Sequence, residues 1–168
     1  MEEFLNNYRL AQRLNDDLKS HGATSSAHVV SKVDYDDIVK DNELRGKTEK
    51  LFRDGHYTET VEAAIKFLEN LVKQRVGLID DNISGVSLMN KVFSANAPLL
   101  LINNNQSISE KDEQNGYRSI LSGCMQGIRN PRVHEVDWKD SRFDAIRLLA
   151  FIDYLVERIK NANVVDKK

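Results

Sequence analysis

Thr58-Glu59-Thr60-Val61-Glu62-Ala63-Ala64-Ile65-Lys66-Phe67-Leu68-Glu69-Asn70-Leu71-Val72-Lys73-Gln74-Arg75-Val76-Gly77 decides the fold. Val61, Ala64, Ile65, Leu68, Leu71, Val72 and Val76 recur at spacings of three and four, the period of an α-helix with one apolar stripe. Lys66, Glu69, Asn70, Lys73 and Gln74 fall on the opposite side and read as its wet face. Thr58 is the expected cap, Glu59 adds favourable first-turn charge, and Gly77 ends the run. A helix of this length and apolar content belongs at the centre of a core.

Working outward, residues 110–129 form a second strong helical pattern, with Tyr117, Leu121, Cys124, Met125 and Ile128 on one face. Gly123 and Gly127, four apart, cost about 1 kcal/mol each relative to alanine in a helix. Tight packing of another helix, or a homodimer contact, is one reading of them; a loosely packed helix is the other. The last pattern, Ser141 to Ala162, carries Phe143, Ile146, Leu149, Ala150, Ile152, Tyr154, Leu155 and Ile159. That stripe is wide enough for a bundle centre, alone or with an oligomer interface.

Toward the start, Ile38, Leu44, Leu51 and Phe52 give a thinner helical pattern over 36–53, closed by Gly55. Phe4, Tyr8, Ala11, Leu14 and Leu18 give another over 2–20, stopped by the small polar run around Gly22. Between the strong helices, 87–94 reads as a short helix. Leu99-Leu100-Leu101-Ile102 fits a very short strand or a buried helical turn equally well. Asp80 to Gly85 lacks the further oxygen ligands of a calcium loop and reads as a turn. Only Pro98 and Pro131 interrupt the chain. The expectation is an all-α helical bundle, with residues 1–40 as an N-terminal helix and linker and 41–168 as the main domain.

The 24 basic and 26 acidic residues leave a net charge of -2, so any nucleic-acid site is local rather than chain-wide. Cys124 is the single cysteine, which rules out an intramolecular disulfide and makes a cysteine-based zinc cluster implausible. No apolar run approaches the roughly 20 residues that span a bilayer, and Met1-Glu2-Glu3 is unlike a signal peptide. A cytoplasmic location, without membrane attachment or cofactor, is expected.

Ile128-Arg129-Asn130-Pro131-Arg132-Val133-His134 concentrates the chemistry. A guanidinium binds phosphate through a planar fork of donors, and imidazoles move protons near neutral pH. Two arginines, an amide and a histidine so close together point to phosphodiester chemistry on RNA; a polar inter-helix loop is the plainer alternative. Pro131 has no N–H and biases Asn130 away from helical angles, so the helix is expected to break or kink here. In a straight helix Arg129 and His134 diverge by about 140°; a break lets both face one cleft. Arg132 reads either as an RNA-backbone contact or as a solvated surface arginine. His56, just before a helix start, sits where anions bind, or else packs with Tyr57 on the preceding helix. His21 and His28 read as loop histidines.

Arg129-Asn130-Pro131-Arg132-Val133-His134 resembles the R-x4-6-H signature of the HEPN superfamily, in which a polar residue commonly follows the arginine. Phe52-Arg53-Asp54-Gly55-His56-Tyr57 before the Val61-Glu62-Ala63-Ala64 helix, Gly85-Val86-Ser87-Leu88-Met89, Gly116-Tyr117-Arg118 and Met125-Gln126-Gly127-Ile128 resemble its Ymh-like branch, made up largely of conserved hypothetical proteins. The likeness spans about residues 41–160 and leaves 1–40 uncovered, and Pro131 is not a general HEPN feature. It implies a helical bundle that dimerises, or forms a higher homo-oligomer, and brings two motif copies together. It further implies a metal-independent endoribonuclease of a toxin or anti-phage defence system, with RNA as substrate and an antitoxin or defence-system partner. By position Arg129 and His134 are the catalytic pair and Asn130 the supporting polar residue; Arg132 and His56 remain candidates for substrate binding. Other HEPN proteins have lost activity and only bind or dimerise, which is the alternative.

Overall fold

The computed structural model describes residues 34–165. The expected helix over 2–20, the loop with His21 and His28, and the tail Lys167-Lys168 lie outside the described residues.

The bundle is built on the expected central helix. Here α1 is Tyr35–Ile38, α2 Asn42–Arg53 and α3 Tyr57–Arg75. Val61, Ala64, Ile65, Leu68, Leu71 and Val72 of α3 are buried, packed chiefly against α2 and against α7, Arg142–Lys160. Ala145, Ile146, Leu149, Ile152, Leu155, Val156 and Ile159 supply α7's buried face. Phe143 and Tyr154, expected in the same stripe, are instead 40% and 50% exposed. Fully burying one leucine in such a core stabilises by about 1.5–3 kcal/mol, so the α3–α7 seam dominates the fold.

The pattern over 36–53 is two helices, not one. Asp41 is in an extended conformation, and its carboxylate accepts the amides of Glu43 (3.1 Å) and Leu44 (3.0 Å). A short acidic side chain satisfies open amides better as a cap than inside a helix. Asp153 of α7 accepts the amides of Lys40 and Asp41, both at 3.0 Å, and pins the break. Tyr35 then reaches Thr48 of α2 at 2.5 Å. At the far end of α2, Gly55 takes φ +82°, and the amides of Gly55 and His56 return to Phe52 and Leu51.

Next come α4, Gly85–Val92, and β1, Leu100–Leu101. The expected 87–94 helix begins two residues early because Gly85 has φ +57° and its N–H is taken by Glu69. Glu69 is therefore not on a wet face: it is 6% exposed. The ambiguous run Leu99–Ile102 holds a strand, and its antiparallel partner is β2, Asn163–Val164, which no pattern announced. Gln114 seals the strand by accepting from the Ile102 amide and donating to the Leu100 carbonyl, both at 3.0 Å. Arg75 donates to the Lys160 and Ala162 carbonyls at the end of α7, where open carbonyls favour a cation.

The second strong pattern is α5, Ile108–Gly123, continuing into a π-helical turn, Cys124–Arg129, and α6, Asn130–His134. Ser107 and Glu110 close a reciprocal capping box at its start. Tyr117, Leu121, Cys124 and Met125 are buried as expected. Among the described residues the tight-packing reading of Gly123 and Gly127 does not hold: a Cβ at either position would meet none of their atoms within 4 Å. Among the described residues no helix is long and apolar enough to cross a membrane.

Candidate functional site

The helix does not break at Pro131. Asn130 has φ −60° and ψ −44°, fully helical, and its amide bonds to the Met125 carbonyl, five residues back. A proline ring collides with the carbonyl four residues before it in a regular helix. One widened turn immediately upstream accommodates it, and the chain continues helically into α6. Beside a break or a kink, the π turn is the further relief available, and the glycines at 123 and 127 flank and occupy it.

Because the helix continues, the motif's side chains fan out. Arg129 and Val133, four apart, line a groove of about 530 Å³ against α3, together with Lys66, Glu69, Lys73 and Ser84. Arg132 turns to the other side, beside Ile128. Asn130 and His134, also four apart, share a third direction; Asn130 is half-buried and His134 exposed. Arg129 lines the groove against α3, and His134 follows five positions on, about 140° round a regular helix, so the continuous helix does not by itself turn the two side chains to one side.

Arg129 is held at one edge. Its Nε lies 3.7 Å from Oε2 of Glu69, whose side chain is only 7% exposed, while Glu69 Oε1 accepts the Gly85 amide at 2.6 Å. The guanidinium makes no hydrogen bond among the described residues and is one-third exposed. Its fork of donors is thus positioned but uncommitted, the state suited to receiving an anion. Glu69 is the buried partner of Arg129 that the sequence hid, because charge at an outward period looks like surface.

Arg132 is the opposite case. Its Nε donates to Asp140 Oδ2 at 2.8 Å, NH2 to Asp140 Oδ1 at 2.5 Å and NH1 to the Ile128 carbonyl at 2.6 Å. Both side chains are at most 5% exposed, and the guanidinium lies 5.1 Å from the centre of the Trp138 ring. It is not the solvated arginine of one reading, and its donors are already occupied. Thr58 is not the cap of α3 but accepts the Asp140 amide at 2.9 Å, tying the loop after the motif to α3.

His56 occupies the cap position of α3 without a side-chain cap bond. Its ring is 58% exposed, with Nδ1 3.8 Å from Glu59, a residue bordering the Arg129 groove. Tyr57, not His56, packs on Phe52, with ring centres 5.4 Å apart. Among the described residues no group of three His, Cys, Asp or Glu side chains is arranged to hold a metal ion.

Fold and motif together define an all-α bundle with a short antiparallel strand pair, carrying one positioned arginine and one exposed histidine on a continuous helix. Residues 40–159 match the family described as "Protein of unknown function (Hypoth_ymh)", and the chain belongs to that family. No curated protein matches the chain. No solved structure matches it either.

Proposed function

We propose that this protein is a metal-independent endoribonuclease of the HEPN type, belonging to a toxin or anti-phage defence system and cutting RNA in a cleft between two copies of the chain. The observation that supports this most is the Arg129 guanidinium, braced by Glu69 with its donors unspent. The RNA 2′-hydroxyl attacks the adjacent phosphorus, and the bond to the 5′-oxygen of the next nucleotide breaks. His134 acts as general base or acid in these proton transfers. Arg129 stabilises the charge gathering on the phosphoryl oxygens, and Asn130 orients the reacting groups. The products are a 2′,3′-cyclic phosphate and a 5′-hydroxyl, and DNA resists for want of the nucleophile. About 140° of helix rotation separates Arg129 from His134, and in this reading the phosphate that meets both lies between two copies. Arg132 serves this site indirectly by fixing α6, and His56 contributes to substrate binding at the far end of the groove.

Expression of the wild type beside His134→Ala, with growth and total-RNA integrity followed, tests the reading. Toxicity and RNA loss relieved by that one change are expected; equal RNA damage by both proteins overturns it. The open face at Gly123 and Gly127 and the exposed Phe143 and Tyr154 favour a second reading, a non-catalytic dimerisation or nucleic-acid-binding module. It gains if light scattering finds Arg129→Ala and His134→Ala monomeric and the wild type dimeric, with no RNA cut by any of them.

A further inference from the structure

On the side of α6 away from Arg129, Arg132 and Asp140 floor a second depression, of about 650 Å³, bordered by Ile128, Trp138, Lys139, Arg147, Leu148 and Phe151. Its aromatic walls are partly solvent-facing: Trp138 is 40% and Phe151 37% exposed. Trp138 is fixed in place, with Nε1 donating to Asp140 Oδ1 at 3.3 Å and the Arg132 guanidinium against the indole. Of the two acids at the depression, one is neutralised by an ion pair and the other keeps its charge, near Arg147. Asp140 is paired with Arg132, and Asp144 Oδ2 accepts from the Ser141 amide at 3.2 Å and hydroxyl at 2.6 Å. The two rim cations are not spent. Neither Lys139 nor Arg147 has a carboxylate within 4 Å among the described residues, and Arg147 rests over the Phe143 ring, 5.0 Å from its centre.

Flat π surfaces held rigid beside unpaired cations suit one ligand chemistry: a planar base stacked on the aromatics, with its backbone phosphates at the cations. An apolar helix of a protein partner would cover the rings but leave Lys139 without countercharge, Asp144 being the carboxylate near Arg147. We propose that this depression is a subsite for an unpaired nucleobase of single-stranded RNA, with the base against Trp138 and Phe151 and the flanking phosphates at Lys139 and Arg147. The subsite rests on the ribonuclease reading and names its substrate as single-stranded.

Trp138 is the only tryptophan in the chain, so intrinsic fluorescence reports on the subsite directly. The full-length His134→Ala protein, titrated with single-stranded oligoadenylate, is expected to show saturable quenching. An abasic ribose-phosphate oligomer of equal length should not quench. Phe151→Ala and Arg147→Gln, introduced into the same background, should each weaken quenching about ten-fold while leaving the thermal midpoint in place. Quenching equal with the abasic oligomer overturns the proposal, as does unchanged emission while labelled RNA binds by anisotropy. Emission that tracks protein concentration without RNA, in step with dimer formation by light scattering, assigns the face to a second copy and also overturns it. If the wild type cuts RNA but emission is silent, the subsite alone fails. If oligoadenylate quenches and the wild type cuts nothing, the subsite stands and the ribonuclease reading fails; RNA bound nowhere ends both.

Discussion

Arg129 and Arg132 sit three residues apart in one motif and carry the same charge, yet their surroundings give them different work. Arg132 forms a buried two-toothed pair with Asp140. Removing one partner of such a pair costs about 3–5 kcal/mol, because the other charge stays buried. Arg132→Ala is therefore expected to lower the urea midpoint strongly, and its activity loss should follow unfolding. Arg129 is one-third exposed and has one charged neighbour. Arg129→Ala should cost less, about 1–3 kcal/mol for the partly orphaned Glu69, and abolish chemistry in a protein that is still folded. Urea melts of the two variants side by side check the contrast. The sequence could not separate these arginines: Asp140 lies eight positions beyond Arg132 across an irregular loop, and no helical or strand period links them. Burial also pushes the Cys124 thiol up to about 11. In native protein it should resist alkylation at pH 8 and react only after denaturation, as mass spectrometry would record.

At the scale of elements, local rules were legible wherever one period ran unbroken. The stripe from Val61 to Val72 and most of the buried faces of α5 and α7 could be read directly, apart from Phe143 and Tyr154, which face outward. What escaped were features set by competition or by distant partners. The break at Asp41 arises because its carboxylate caps better than it continues a helix, and the π turn because Pro131 needs clearance. The strand Asn163–Val164 exists only because Leu100–Leu101 lies beside it. The caps themselves make a pH prediction. Hydrogen bonds from the Ser141 hydroxyl and amide hold the Asp144 carboxyl below its ordinary 3.8. A carboxylate with a depressed folded-state pKa stabilises fully above its unfolded value, and that contribution disappears as pH falls through the folded one. Thermal melts should therefore find Asp144→Asn less stable than the wild type at pH 7, with the gap closing below about pH 4. Ser141→Ala should cost about 1 kcal/mol at neutral pH.

For the whole molecule, the α3–α7 seam is the common support of everything else. Leu68→Ala, at a fully buried position, is expected to cost about 2–5 kcal/mol without altering the motif's chemistry in the fraction that folds. The bundle also leaves Ile120, Phe143, Phe151 and Tyr154 exposed. The proposed pairing of two copies fits a motif whose arginine and histidine lie about 140° apart round the helix. The central claim is that Arg129 and His134 cut RNA without a metal. The direct measurement is incubation of purified wild type, Arg129→Ala and His134→Ala with RNA in excess EDTA, with the product ends identified. Cleavage by the wild type alone, leaving 2′,3′-cyclic phosphates, is the predicted result; no cleavage by the wild type, or undiminished cleavage by both variants, would contradict it.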